Sequence, residues 1–155
     1  GSGCIACSVA LEDAHTEVLG LDISAEALAV AKQNAEELGA EVEFRQSDLI
    51  EQCEALPDII VANLPYVDKS WSWNLDLDFE PQLALYAEDK GLALIKLLLD
   101  KIKEKWYNEV IETKSRVFVI LEADTCQHEA IIKYVKSNKY KFLKTRGLSL
   151  ELELS

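Results

Sequence analysis

The tetrapeptide Asn63-Leu64-Pro65-Tyr66 sets an amide, a backbone carbonyl and a phenol side by side, directly after the apolar run Asp58 to Ala62. An amide nitrogen or an exocyclic amine is a poor nucleophile because its lone pair is delocalised. Moving a methyl group onto it therefore requires the NH2 to be held in line with the incoming carbon. The Asn63 side-chain oxygen and the Leu64 carbonyl can each accept one N–H, and Tyr66 can pack against the planar group. The same residue types also suit an ordinary turn after a strand. Upstream, Gly1-Ser2-Gly3 runs straight into the small-residue helical stretch Cys4 to Leu11, and Asp22 stands near the end of the next apolar run. A glycine-rich turn lets the backbone approach a nucleotide closely, and a carboxylate at the following strand's end can accept both ribose hydroxyl hydrogens. Taken alone, Gly1-Ser2-Gly3 reads equally as an appended linker, and Asp22 as a strand-end carboxylate with no ligand. Ser47-Asp48-Leu49 adds a further polar strand end.

These residues need a scaffold that gathers strand ends, and the patterning supplies one. Glu17 to Ile23, Asp58 to Ala62 and Val117 to Leu121 are short apolar runs that read as buried strands, while Glu41 to Arg45 alternates and reads as a half-exposed strand nearer an edge. Between the first and the fourth, Ser24 suits a helix N-cap, Ala27, Ala31, Ala35 and Leu38 make an apolar face, and Gly39 ends the helix. A second helix is predicted from Asp89 to Tyr107 on the spacing of Leu92, Ile95, Leu99, Ile102 and Trp106. A third runs from Thr125 to Ser137 with Ile131, Tyr134 and Val135 inward, and Asp124 before it reads as its cap. The tail forms two strands around Arg146-Gly147, the second alternating as Leu148, Leu150, Leu152 and Leu154, an antiparallel hairpin that closes the sheet. The fold class is α/β, a mostly parallel sheet with helices on both faces, in which ligands gather at the carboxyl ends of strands. Val67 to Glu80 lacks a clear period, and its Trp71 and Trp73 suit a substrate cleft or cover for the sheet edge.

Taken together, these motifs resemble the S-adenosylmethionine-dependent methyltransferases whose signature is Asn-Pro-Pro-Tyr, and most closely the release-factor glutamine methyltransferases, the HemK family. The likeness rests on Gly1-Ser2-Gly3-Cys4-Ile5-Ala6, the segment Leu21 to Leu28, Ser47-Asp48-Leu49, Asn63-Leu64-Pro65-Tyr66 and the block Phe79-Glu80-Pro81-Gln82-Leu83-Ala84-Leu85. It implies a Rossmann-like class I methyltransferase fold over residues 1–155. It also implies that Gly1, Ser2 and Gly3 line the methionine end of S-adenosyl-L-methionine, that Asp22 with Ile23 holds the ribose, and that Asp48 and Leu49 flank the adenine. Asn63 belongs to both sites, and Asn63, Leu64, Pro65 and Tyr66 would hold the acceptor amide with Glu80 beside it. Leu64 departs from the usual proline; because a backbone carbonyl is what matters there and Pro65 already keeps Leu64 extended, the geometry is expected to survive. The family's glycine motif is preceded by a strand and by an N-terminal helical domain, so the resemblance implies an N-terminally truncated catalytic-domain fragment without its first strand.

The expected reaction is methyl transfer to the side-chain amide nitrogen of a glutamine in a peptide-chain release factor, with no metal. Three competitors share parts of the pattern: a methyltransferase acting on an exocyclic amine of a nucleic-acid base, a nicotinamide-dependent oxidoreductase, and an inactive fragment or binding module. The oxidoreductase leaves Asn63 to Tyr66 unexplained. The charge argues against nucleic acid, since 16 Lys plus Arg against 28 Asp plus Glu leaves −12 over 155 residues. With 49% hydrophobic and 28% charged residues the chain has globular composition, and no apolar run approaches the ~20 residues of a membrane helix. Cys4, Cys7, Cys53 and Cys126 form no disulfide framework, which points to a cytoplasmic protein. Cys4 and Cys7 are expected to be buried, and His15 and His128 to lie on the surface.

Overall fold

The computed structural model describes residues 1–68, 70–71 and 85–154. Backbone contacts divide the chain into two compact units, Gly1–Ala55 and Leu56–Ser155. In the first, α1 (Cys4–Glu12) leads to β1 (Leu19–Asp22), α2 (Ala25–Leu38) and β2 (Glu43–Gln46). β1 and β2 pair in parallel with Leu19 opposite Glu43 and Asp22 opposite Gln46. This is the strand, crossover helix, strand unit that the patterning predicts.

Local chemistry sets the ends of α2. The Ser24 side chain accepts the Ala27 N–H at 3.1 Å, and Gly39 closes the helix in the left-handed region with its N–H on the Ala35 and Glu36 carbonyls. Its buried face is Leu28, Ala31 and Ala35, whereas Leu38 is exposed. With five alanines and both leucines in one helix, period alone does not choose which leucine faces in. Cys4 is likewise exposed and only Cys7 of the pair is buried, because α1 is apolar nearly all round and so has no marked apolar face to choose between them. Gly20 faces Phe44 across the β1–β2 pair, and a Cβ there would overlap the phenyl ring. The ring therefore packs directly against bare backbone.

In the second unit, β3 (Ile59–Ala62) is followed by α3 (Ala93–Thr113), β4 (Val117–Glu122), a 3₁₀ turn (Thr125–Gln127), α4 (His128–Lys136), β5 (Tyr140–Arg146) and β6 (Ser149–Leu154). The sheet order is β3-β4-β6-β5, with β3 parallel to β4 and the remaining pairs antiparallel. β4 is the internal strand paired on both sides; Val117, Val119 and Leu121 on one face are fully buried, and Phe118 and Ile120 on the other are half-buried. β6 inserts beside β4 and leaves β5 at the edge. The predicted hairpin is present, with the order of its strands now determined. Leu150, Leu152 and Leu154 are buried and Leu148, in the turn, is exposed.

α3 buries Ile95, Leu98, Leu99, Ile102, Trp106 and Val110, the predicted stripe extended by a further turn. The helix starts at Ala93 and not at Asp89, because Asp89, Lys90 and Gly91 are all left-handed, with φ of 54°, 57° and 82°. Asp124 caps the 3₁₀ turn by accepting the Cys126 N–H at 2.8 Å, so the predicted third helix begins as one 3₁₀ turn. His15 is exposed as expected, while His128 is half-buried with Nε2 3.2 Å from the Ala123 carbonyl. Among the described residues no helix is long and apolar enough to cross a membrane.

Candidate active site

Each unit carries one set of the predicted site residues at strand ends. In the first, the β1 carboxyl end presents Asp22, whose side chain is 23% exposed. Its Oδ1 accepts the Ser24 N–H at 2.8 Å, which fixes the carboxylate, and Oδ2 meets the amino group of Gly1. Gly1 and Asp22, far apart in sequence, are thus neighbours. Gly3 is the left-handed N-cap of α1 with no side-chain cap, so the first-turn N–H groups of that helix offer donors of the kind a carboxylate takes. Asn34 Nδ2 donates to the Ser2 carbonyl at 2.9 Å and ties the glycine turn to α2. The sequence signal for Asn34 was absent, since an Asn on a helix has no spacing that announces a partner in another segment.

The β2 end lies beside the β1 end. Ser47 N–H continues the ladder to the Asp22 carbonyl at 2.9 Å, and Gln46 Nε2 reaches the Ile23 carbonyl at 2.9 Å. Ser47 is buried with its Oγ accepting the Gln52 N–H at 3.1 Å, which fixes the loop that exposes Asp48. Leu49 is left-handed, φ 52°, a conformation rare enough for a branched residue to mark a specific turn. The donor set of this unit fits a nucleoside carrying an amino-acid tail. Asp22 is an acceptor for hydroxyls, exposed Ile23 beside it is an apolar surface for a ring, and the start of α1 supplies donors.

In the second unit Asn63 is exposed, and Leu64, Pro65 and Tyr66 are half-buried. Tyr66 is held at two points. Its hydroxyl donates to Glu122 Oε1 at 3.2 Å, and its carbonyl accepts from Gln127 Nε2 at 2.8 Å. Burial, with the Glu122 carboxylate adding to it, pushes the Tyr66 phenol above its ordinary value, so it remains a donor at neutral pH. Next along the chain, Val67 pairs with 85–87: its N–H donates to Leu85 O at 2.9 Å and its carbonyl accepts from Ala87 N at 3.2 Å. The cap carboxylate of Asp124 is held below the usual range by the Cys126 N–H that it accepts. Glu122 and Gln127 were not among the predicted site residues. Gln127 had a legible signal, because Asp124-x-x-Gln127 is a capping box spacing.

Gly91 completes the packing. A Cβ there would collide with the Tyr66 carbonyl and the Gln127 amide, and φ of 82° already excludes most side chains. Gly91→Ala is therefore expected to cost more than about 3 kcal/mol of stability, read as a fall in the denaturation midpoint. An alanine variant as stable as the parent chain would show that this turn is not packed as described. Glu80, Trp73 and the rest of the block Phe79 to Ala84 lie outside the described residues, while Trp71 is half-buried. Among the described residues no cluster of three or more His, Cys, Asp or Glu is arranged to hold a metal.

Comparison with known proteins agrees with this fold. Residues 1–76 match the methyltransferase small domain family. The chain is 38% identical over 154 residues to the release factor glutamine methyltransferase of Bacillus subtilis, covering 93% of this chain and 51% of that protein. Across curated relatives of the same name the chain spans between 34% and 51% of their length. Of solved structures, the ribosomal protein L11 methylase of Lactobacillus delbrueckii subsp. bulgaricus superposes with TM-score 0.66 at 23% identity, over 100% of this chain and 65% of that one. The Pyrococcus abyssi tRNA (uracil-54, C5)-methyltransferase, in complex with S-adenosyl-L-homocysteine, does so with TM-score 0.52 at 14% identity, over 99% of this chain and 31% of that one. At such identities the structural likeness speaks to the fold alone.

Proposed function

The chain is a relative of the release factor glutamine methyltransferases with a Rossmann-like class I methyltransferase fold, and from that premise we propose that it transfers a methyl group to the side-chain amide nitrogen of a glutamine in a peptide-chain release factor. The methyl source is S-adenosyl-L-methionine, which brings its methyl on a sulfonium and so carries its own leaving group. The observation that carries the reading is the Asn63–Tyr66 segment at the end of β3, anchored through Tyr66 to Glu122 and Gln127.

In this reading each residue does a stated piece of work. Gly1, Ser2 and Gly3 take the amino-acid end of the cofactor, Asp22 with Ile23 takes the ribose, and Asp48 and Leu49 flank the adenine. The Asn63 side-chain oxygen and the Leu64 carbonyl each accept one N–H of the substrate amide, so that its nitrogen is aimed and does not rotate. Pro65 keeps Leu64 extended, and the Tyr66 ring covers the amide plane. Glu80 is assigned to the acceptor side through the sequence block that contains it. No general base is assigned, since the proton can leave once the nitrogen has gained its methyl and become acidic.

The test is transfer of labelled methyl by the whole protein, with purified release factor, RNA and DNA offered in parallel. Label on a glutamine of the release factor alone is the expected result. Label on nucleic acid would move the assignment to the base-amine reading, against which the net charge of −12 stands.

A further inference from the structure

Gln127 does more than start a helix. Its side chain is 4% exposed, and its two ends are sorted by chemistry. Oε1 accepts the Asp124 N–H at 3.0 Å, while Nε2 donates to the carbonyls of Tyr66 and Lys90, both at 2.8 Å. A capping box needs only the first of these contacts. The other two reach segments that are distant in sequence, and both end on carbonyl oxygens, which accept from the Nε2 amide and could not accept from a second oxygen without a proton. One of those segments is the left-handed turn at Asp89, Lys90 and Gly91, where two non-glycine residues are held in a conformation that persists only when its surroundings over-determine it.

We propose that Gln127 is a positioning residue for the acceptor site: its amide ties the last carbonyl of the Asn63–Tyr66 segment to the Asp89–Gly91 turn and so fixes how Asn63 and Leu64 present their acceptors. The inference rests on the amide-holding reading of that segment. The segment is short, with β3 as one fixed end and the Val67 pairing to 85–87 as the other. Between those ends Gln127 holds the Tyr66 carbonyl and Glu122 the phenol. Releasing the carbonyl frees the peptide to rotate, and rotation displaces the two acceptors at its start, whereas Gly1 to Gly3, Asp22, Asp48 and Leu49 belong to other segments.

Gln127→Glu separates this role from capping, because a carboxylate still accepts the Asp124 N–H but presents oxygen to two carbonyls. Gln127→Met removes the donors without adding charge and carries the test if the glutamate variant does not fold. Asp124→Ala is the control that weakens the cap while leaving the Gln127 amide in place. In the whole protein, both Gln127 variants are expected to lower kcat for the glutamine substrate about tenfold or more, with S-adenosyl-L-homocysteine affinity held within about twofold. Hydrogen exchange across 63–67 should speed up in the same variants. Asp124→Ala should lower the melting temperature yet keep kcat within about twofold. Unchanged kcat and unchanged exchange at Gln127, or an equal kcat loss in Asp124→Ala, would overturn the proposal. Should the parent protein methylate no glutamine at all, the function proposed above falls, and the exchange measurement still decides whether Gln127 holds the segment.

Discussion

Replacing Asn63 with alanine is expected to lower kcat/KM for the glutamine substrate by about 10²- to 10³-fold, with a much smaller loss of affinity for S-adenosyl-L-homocysteine. The side chain is exposed and follows the last residue of β3, so its loss leaves no cavity and disturbs no packing. What it removes is one of the two acceptors that aim the NH2 group. With the Leu64 carbonyl alone, the amide can swing about a single hydrogen bond, and most of its orientations no longer point the nitrogen at the methyl carbon. Asn63→Asp keeps an acceptor and should retain more activity than alanine, although its charge would hold the amide against a less neutral partner. Steady-state kinetics beside calorimetric titration separates the two effects. A kcat/KM for Asn63→Ala within a few-fold of the parent would remove Asn63 from the acceptor site.

The second large effect is expected at Asp22. Asp22→Ala should weaken S-adenosyl-L-homocysteine binding by about 10²-fold, the size of losing hydrogen bonds to a charged acceptor at roughly 1.4 kcal/mol per tenfold. The carboxylate is partly exposed and already oriented, because Oδ1 is fixed by the Ser24 N–H. A ligand hydroxyl would therefore meet an acceptor whose ordering cost has been met in the free protein. Asp22→Asn is the informative companion. It keeps one oxygen for Ser24 and loses the charge, so it should fall between parent and alanine. Titration calorimetry reads all three. Equal affinity across the series, in folded protein, would take the ribose role away from Asp22.

The candidate site is legible in the sequence because its chemistry is local. The Asn63–Tyr66 segment, Asp22 and Ser47-Asp48-Leu49 each sit within a residue or two of a strand whose apolar run marks it, and the carboxyl ends of such strands are where an α/β sheet exposes side chains. The residues that brace the site were harder to read. Asn34, Glu122 and Gln127 act through partners 32, 56 and 61 residues away, and no spacing in one chain reports a contact at that separation. The Asp89–Gly91 turn shows the same limit in reverse. Its residues continue the helical period of α3, so pattern alone extends the helix over them. The left-handed backbone there accompanies a Tyr66 carbonyl packed against Gly91 and a Lys90 carbonyl bonded to Gln127.

The element types, the α2 caps at Ser24 and Gly39, the buried stripe of α3 from Ile95 to Trp106, and the alternation of Leu150, Leu152 and Leu154 are all written into the order of residues. These follow from hydrogen bonds and periodicities spanning a few residues, which amino-acid type controls directly. Long-range packing is what places β6 between β4 and β5, turns Leu28 and not Leu38 inward on α2, and brings Gln127 to Tyr66 and Lys90. In each of those cases two local solutions were nearly equivalent. Side-chain volume, strand pairing and the need to satisfy buried carbonyls chose between them.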